Sequence, residues 1–324
     1  MDGKRRGFRL VPGAIWVAIA ASLAASGCSG HSPVAQSSPQ SAPNATQSSG
    51  AGVLNNAPLT SAFASPAAKI SPHSPFTGPP ADPFAGTPAD RWRDGAAGIV
   101  APAARPIGGY TAAQVKFAYE RTRELLIAAD LNRRTLLGGP PTAYADLLTE
   151  PQRTEFLAGL HKKGLDKQGA SVSTRGWVVS FAPGGTQLIG NVIKVHGPSM
   201  HAHAAKIRGG YNVLDVDVDY IVVYPVQPPH QPTRWMRIVD RSTWTVQFGA
   251  WRGAATSFEP WVQFSGGYIA GADCGTKDGY VHPDYPGRTG LGTQPSVTPS
   301  GTPVDPYSQG SVVATAGCGA TTGT

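Results

Sequence analysis

The sequence predicts an α+β fold: N-terminal helices packed on a bent antiparallel sheet, a cone-like roll, preceded by a disordered linker. Three observations predict it. Apolar residues recur at helical intervals only between about residues 111 and 160. After Gly164 the texture changes to compact or alternating apolar runs separated by Pro- and Gly-bearing turns. Before residue 107 there is no periodicity of either kind. Helices first, then strands joined by short turns, define the α+β pattern.

The elements follow in order. Thr111-Ala112-Ala113-Gln114 has capping-box spacing. Val115, Ala118, Tyr119, Thr122, Leu125, Leu126 and Ala129 then fall on one helical face, giving a helix over 111–130. Gly138-Gly139-Pro140-Pro141 breaks the run, and Thr142 reads as the cap of a short helix reaching Leu147-Leu148. Pro151 suits a first helical turn and opens a third helix with Phe156, Leu157 and Leu160 on one side. Strands are predicted over 177–181, 187–195, 200–207, 213–226, 234–248 and 259–272. The globular domain, 107–284, is long enough for one core. The Pro/Gly/Thr-rich segment 285–324 is expected to wrap its outside.

Residues 1–28 have the layout of a secretory signal. Lys4, Arg5, Arg6 and Arg9 precede an apolar stretch from Val11 to Ala25. That stretch is about 15 residues, short of the roughly 20 that span a bilayer. It ends in Leu23-Ala24-Ala25-Ser26-Gly27-Cys28, which resembles a bacterial lipobox, with Ala25 where leucine is commoner. The resemblance implies that Cys28 is acylated and becomes the mature N-terminus, placing the protein at the outer face of the cell membrane. Two or more acyl chains give stable anchoring. Arg5-Arg6 within Lys4-Arg5-Arg6-Gly7-Phe8-Arg9-Leu10 also looks like a twin-arginine export signal. Residues 29–106, rich in Ser, Pro and Ala with single scattered apolar residues, are expected to be disordered. Arg91-Trp92-Arg93 stands out there as a short docking element.

Charged residues make up 15% of the chain. Four basic residues and one acidic residue lie in the first 28, so the net excess falls from +7 to +4 once they are removed. That field is too weak to argue for nucleic acid. Cys274 and Cys318 form an even pair in an oxidising compartment, which is most simply a disulfide.

The layout of one long helix, shorter helices and a bent meander of long strands resembles a nuclear-transport-factor-2-like domain. That resemblance implies a sheet curled around the first helix and a cavity open at one end. The run from Val216 to Val226, and Gly271-Ala272-Asp273-Cys274 with Asp278-Gly279, resemble segments of actinobacterial secreted lipoproteins of unassigned function. This second resemblance implies location and fold, not activity.

Candidate chemistry is sparse. Asp215, Asp217 and Asp219 alternate with Leu214, Val216 and Val218, so a strand puts all three carboxylates on one face. At roughly 6.5–7 Å apart they are too distant to share one ion by themselves. His201-Ala202-His203 is a His-x-His that could begin a zinc site, with His196 or Asp217 as a further ligand. Neither pattern requires a metal, and no cofactor is predicted. There is no Gly-x-Ser-x-Gly, no Ser-x-x-Lys and no phosphate-binding glycine loop. Tyr220, Tyr224, Trp235 and Trp244 could line a groove, but their alternation favours core packing. The sequence therefore points to a non-enzymatic binding domain with a cell-wall, protein or small apolar partner besides the membrane lipid on Cys28. The alternatives are a cavity-based hydrolase or isomerase using His and Asp, and a metal-binding surface lipoprotein.

Overall fold

In a computed structural model the described residues are 78–165, 171–207, 209–249, 258–273, 276–286, 300–309 and 319–321. They fall within one compact unit, Lys69–Thr324. Cys28, Cys274 and Cys318 lie outside them. The fold is α+β, as the pattern of the sequence indicates. Four helices, α1 (Ala112–Asp130), α2 (Arg133–Leu136), α3 (Thr142–Ala145) and α4 (Glu150–Gly159), stand on a six-stranded antiparallel sheet. Its strands are β1 (Arg93–Asp94), β2 (Gln187–Leu188), β3 (Lys194–Lys206), β4 (Asn212–Gln227), β5 (Met236–Gly249) and β6 (Glu259–Ala270). The path is β1-β3-β4-β5-β6, with β2 added to β4, and the sheet is open. A parallel pair, β7 (Ser300–Val304) and β8 (Gly319–Thr321), is separate.

Helix α1 begins as its sequence dictates. The Gln114 amide N–H donates to Thr111 Oγ1 at 3.2 Å, and the Thr111 N–H donates to Gln114 Oε1 at 2.9 Å. Val115, Ala118, Leu125, Leu126 and Ala129 are fully buried against the even-numbered residues of β4 and β5, Leu214 to Val226 and Ile238 to Phe248. Truncating one such leucine to alanine costs about 2–5 kcal/mol. The odd-numbered side chains face the other way. On that outer face Ile221, Val223 and Val239 form a second cluster with Ala270, Phe84 and Ala89.

That second cluster corrects the expected linker. Residues 78–106 are not an extension of it: Phe84 and Ala89 are buried, 3-10 turns span Pro88–Arg91 and Gly95–Gly98, and β1 pairs with β3. Single apolar residues without periodicity pack here as a loop on half a sheet face, a mode that periodicity cannot register. Trp92 acts as the docking element its neighbours suggested, stacking on His196 at 4.8 Å and meeting Tyr307 edge-on at 5.8 Å.

Other local expectations change too. The run 177–181 is not a strand. Trp177 ends a 3-10 turn, Thr174–Trp177, and the following residues bond to α2 and to Val281 instead of to a strand neighbour. The Phe181 N–H donates to the Leu136 carbonyl at 2.8 Å, and Ser180 Oγ to the Thr135 carbonyl at 2.7 Å. Strand 187–195 shrinks to β2, because Gly190 turns the chain with φ +66°. Its end merges with 200–207 into β3, across a bulge between His196 and Ser199. Pro141, not Thr142, holds the cap position of α3 and offers no side-chain hydrogen bond. In α4 Phe156 is buried, as is Leu160 just after it, but Leu157 is exposed.

Candidate functional site

Strand register places the predicted polar residues together on the outer face. His203 lies opposite Asp215, His201 opposite Asp217, and backbone position 199 opposite Asp219. His203 Nδ1 is 3.4 Å from Asp217 and Nε2 is 4.0 Å from Asp215. The His201 and His203 rings stack at 6.1 Å. Thr245 Oγ1 donates to Asp217 at 2.6 Å. Asp219 accepts two hydrogen bonds from Arg241, at 2.9 and 3.2 Å. His196 does not join this group, because Trp92 covers its ring. Asp215 is nearly buried, and burial lifts its carboxyl above the ordinary range. Asp217 adds to that rise, and the Gln247 hydrogen bond and His203 oppose it. Among the described residues no group of three or more His, Cys, Asp or Glu could hold a metal ion.

The opposite, helix-facing side holds what the sequence did not reveal. Asp130, the last residue of α1, and Asp240 of β5 are both buried beneath the helices with no cation among their described contacts. Tyr220 Oη donates to the Asp130 carboxyl, Tyr224 Oη donates to the Asp130 carbonyl at 3.0 Å, and Ser242 Oγ donates to Asp240 at 3.2 Å. Burial pushes Asp130 up to about 7, against the opposing hydrogen bonds from Tyr220 and the Val179 backbone. Burial, then the nearby Asp130, drives Asp240 well above the carboxylate range. Each carries a signal in hindsight. Asp130 extends the buried stripe four residues after Leu126, at the helix end whose dipole disfavours an anion. Asp240 falls in the apolar phase of β5.

Near these groups lies a partly enclosed cleft of about 110 Å³, lined by Tyr144, Trp177, Trp244 and Val262. Each wall is held by its own element. Tyr144 sits on α3 and meets Phe156 edge-on at 5.1 Å; Phe156 stacks on Trp177 at 5.6 Å. Thr174 Oγ1 donates to the Phe156 carbonyl and so ties the Trp177 turn to α4. Trp244 of β5 stands edge-on to Tyr144 at 6.2 Å and to Tyr220 at 6.4 Å. Val262 is fixed at the sheet edge by the Gln152 side-chain amide, which donates to its carbonyl at 2.7 Å and accepts its N–H at 3.0 Å. That amide occupies the backbone groups a further strand would otherwise take.

Two of the lining residues carry a polar atom, Tyr144 Oη and Trp244 Nε1, that is itself buried and has no hydrogen-bond partner among the described residues. Burial, with the charge of Asp130 adding, drives the Tyr144 phenol far above its usual range, so it acts as a donor and not as a base. Among the described residues no carboxylate, imidazole, amine or thiol lines the cleft. Tyr220, Tyr224 and Trp244 pack in the core as their alternation indicates, and Trp244 in addition forms a wall; Trp235 is buried outside the core clusters, with the Arg237 guanidinium 5.0 Å from its ring centre. Tyr144, Trp177 and Val262 were not singled out by sequence, because short turns and an edge valine have no distinguishing spacing. Among the described residues no helix is long and apolar enough to cross a membrane. No protein-family model, curated protein or solved structure matches the chain.

Proposed function

We propose that the protein is an extracytoplasmic lipoprotein, held to the outer face of the cell membrane through acylated Cys28, whose α+β domain binds a small uncharged ligand without transforming it. The observation that supports binding over catalysis is the lining of the cleft. Among the described residues it is made of aromatic and aliphatic side chains, with no nucleophile and no acid or base that titrates near neutrality. Ligand pockets are mostly apolar with a few placed polar groups and commonly exceed about 300 Å³, so a cleft of about 110 Å³ suits only a very small ligand. A hydrolase or isomerase working through His and Asp needs both inside one cavity. Here His203 meets Asp215 and Asp217 on the outer face instead. The tether rests on the basic n-region, the short apolar run and the lipobox-like residues before Cys28.

Two experiments test the two halves. Cys28→Ser should abolish lipid labelling and move the protein from the membrane to the soluble fraction; full membrane retention overturns the tether. Titrating ¹⁵N-labelled protein with small uncharged aromatic compounds should shift tryptophan indole resonances saturably, and Val262→Trp, which fills the cleft, should abolish the response. If none of these compounds gives a saturable shift, the binding reading fails.

A further inference from the structure

We propose that Asp130 and Asp240 form a proton-operated latch: while the pair holds its protons the end of α1 stays closed on the sheet, and as protons leave the α1–α2 corner opens beside the cleft. As a gate to that cleft it rests on the binding reading above; as a latch it stands on geometry of its own.

A corner of the chain is pinned here through one residue. Asp130 ends α1, and Asn132 already caps α2, its Oδ1 accepting the Thr135 N–H at 3.1 Å. Two tyrosines of β4 hold Asp130, Tyr220 Oη donating to its carboxyl and Tyr224 Oη to its carbonyl. Asp240 reaches the same place from β5. Its hydrogen-bond donor Ser242 is the register partner of Tyr220. Tyr144 of α3 lies within the field of Asp130, and both Tyr144 and Tyr220 meet the Trp244 wall of the cleft edge-on. The groups that face the pair are thus Tyr220, Tyr224, Tyr144, Ser242 and the Val179 backbone N–H. None of them is a cation.

Charge decides what such a corner does. An anion here is opposed by burial, by the second carboxyl and by the C-terminal end of the α1 dipole. Two carboxyls so placed titrate as a pair. Burial lifts Asp130 to about 7 and holds Asp240 well above the carboxylate range. The closed corner therefore keeps both protons below about pH 7 and gives up the first near it. Opened to water, both carboxyls return to the ordinary range and release what they held. Closure is favoured in acid and lost as pH rises, the open fraction growing about tenfold per pH unit for each proton that opening releases.

Trypsin tests this. Arg133 and Arg134 of α2 lie just beyond the latch and are exposed, but a folded helix resists cleavage until it opens locally. The full chain is digested without ligand between pH 5.5 and 8, cut sites are read by mass spectrometry, and each rate is divided by that of an unfolded peptide of the same sequence. The normalised rate at Arg133 and Arg134 should rise about tenfold or more per pH unit up to pH 7, while the buried Arg237 and Arg241 stay uncut. Asp240→Asn should lower that slope by about one proton, and Asp130→Asn/Asp240→Asn should abolish it. A flat parent profile overturns the latch, and so does an undiminished slope in the double variant. Cuts at Arg237 and Arg241 rising in step with those at Arg133 and Arg134 show global unfolding and overturn it as well. The parent profile depends on no variant folding. Because no ligand enters, failure here is distinguishable from failure of the binding reading.

Discussion

Replacing Asp240 with asparagine should make the protein more stable at neutral pH, and the structure fixes the sign of the gain and the pH at which it begins. Asp240 is buried beneath the helices, faces the equally buried Asp130, and has Ser242 Oγ as its hydrogen-bonding partner. Its carboxyl is held well above the 3.8 it has in an unfolded chain. The native state therefore keeps a proton that the unfolded state releases, so stability falls as pH rises above about 4. Each pH unit costs about 1.4 kcal/mol per such group. The loss from Asp240 grows at that rate with pH for as long as its buried carboxyl keeps the proton. Asp130, raised to about 7, contributes a loss of the same sign that ends near that pH. Asparagine keeps an oxygen for Ser242 and has no proton to lose. Urea unfolding followed by tryptophan fluorescence should find Asp240→Asn within about 1 kcal/mol of the parent at pH 4.5. At pH 7 it should be clearly more stable than the parent, with the slope of stability against pH reduced by up to one proton, about 1.4 kcal/mol per pH unit. A variant no more stable at pH 7 than at pH 4.5, relative to the parent, would refute the reasoning and point to a buried cation neutralising the pair.

Three further outcomes are expected. The exported protein, denatured without reductant, should show no free thiol at Cys274 or Cys318; closing that loop stabilises by roughly 3–4 kcal/mol in the chain-entropy model, and two labelled thiols would show the pair open. Asp219→Ala strips a buried guanidinium of its bidentate carboxylate and should cost about 3–5 kcal/mol. Arg241→Met should cost less, because the carboxylate left behind reaches solvent; the reverse order in denaturant melts would contradict this. Purified protein should carry no stoichiometric zinc, and a His201→Ala/His203→Ala double variant should leave metal content unchanged; metal bound by the parent and lost in the variant would restore the His-x-His to a functional role.

The elements that carry their own signal were legible, and those defined by distant partners were not. The capping box and apolar stripe located α1 to within a residue. Alternation located β4, β5 and β6, and it put Asp215, Asp217 and Asp219 on one face. Alternation could not say that Asp215 would be nearly buried, since that depends on what lies over the face. The segment around Phe84 and Trp92 has no period because it is a loop lying on Ile221, Val223 and Val239, which are far away in sequence. The run 177–181 looks like a strand because it is buried on all sides, yet its partners are a helix end and Val281. The cleft joins residues 144, 177, 244 and 262. No spacing within any one of their elements announces that meeting.

Strand β5 grips both ends of the folded unit with arginines. Arg237 Nε donates to the Pro83 carbonyl, and Arg241 Nη1 donates to the Ser308 carbonyl at 3.0 Å. The first link spans 154 positions and the second 67. A chain still emerging from the ribosome can form α1 and the β4–β5 hairpin, whose contacts are local. The clasp to Pro83 can close once Arg237 has been made, but the clasp from Arg241 cannot close until Ser308 has been made. Contacts of such separation in sequence must overcome the entropy of long loops and slow the final steps of folding. Until then the part of the sheet face that Tyr307 covers stands open, and Arg241 lacks the Ser308 carbonyl that only the later chain supplies. Folding and completion of synthesis are therefore coupled events, and a chain cut short before Ser308 should collapse without locking.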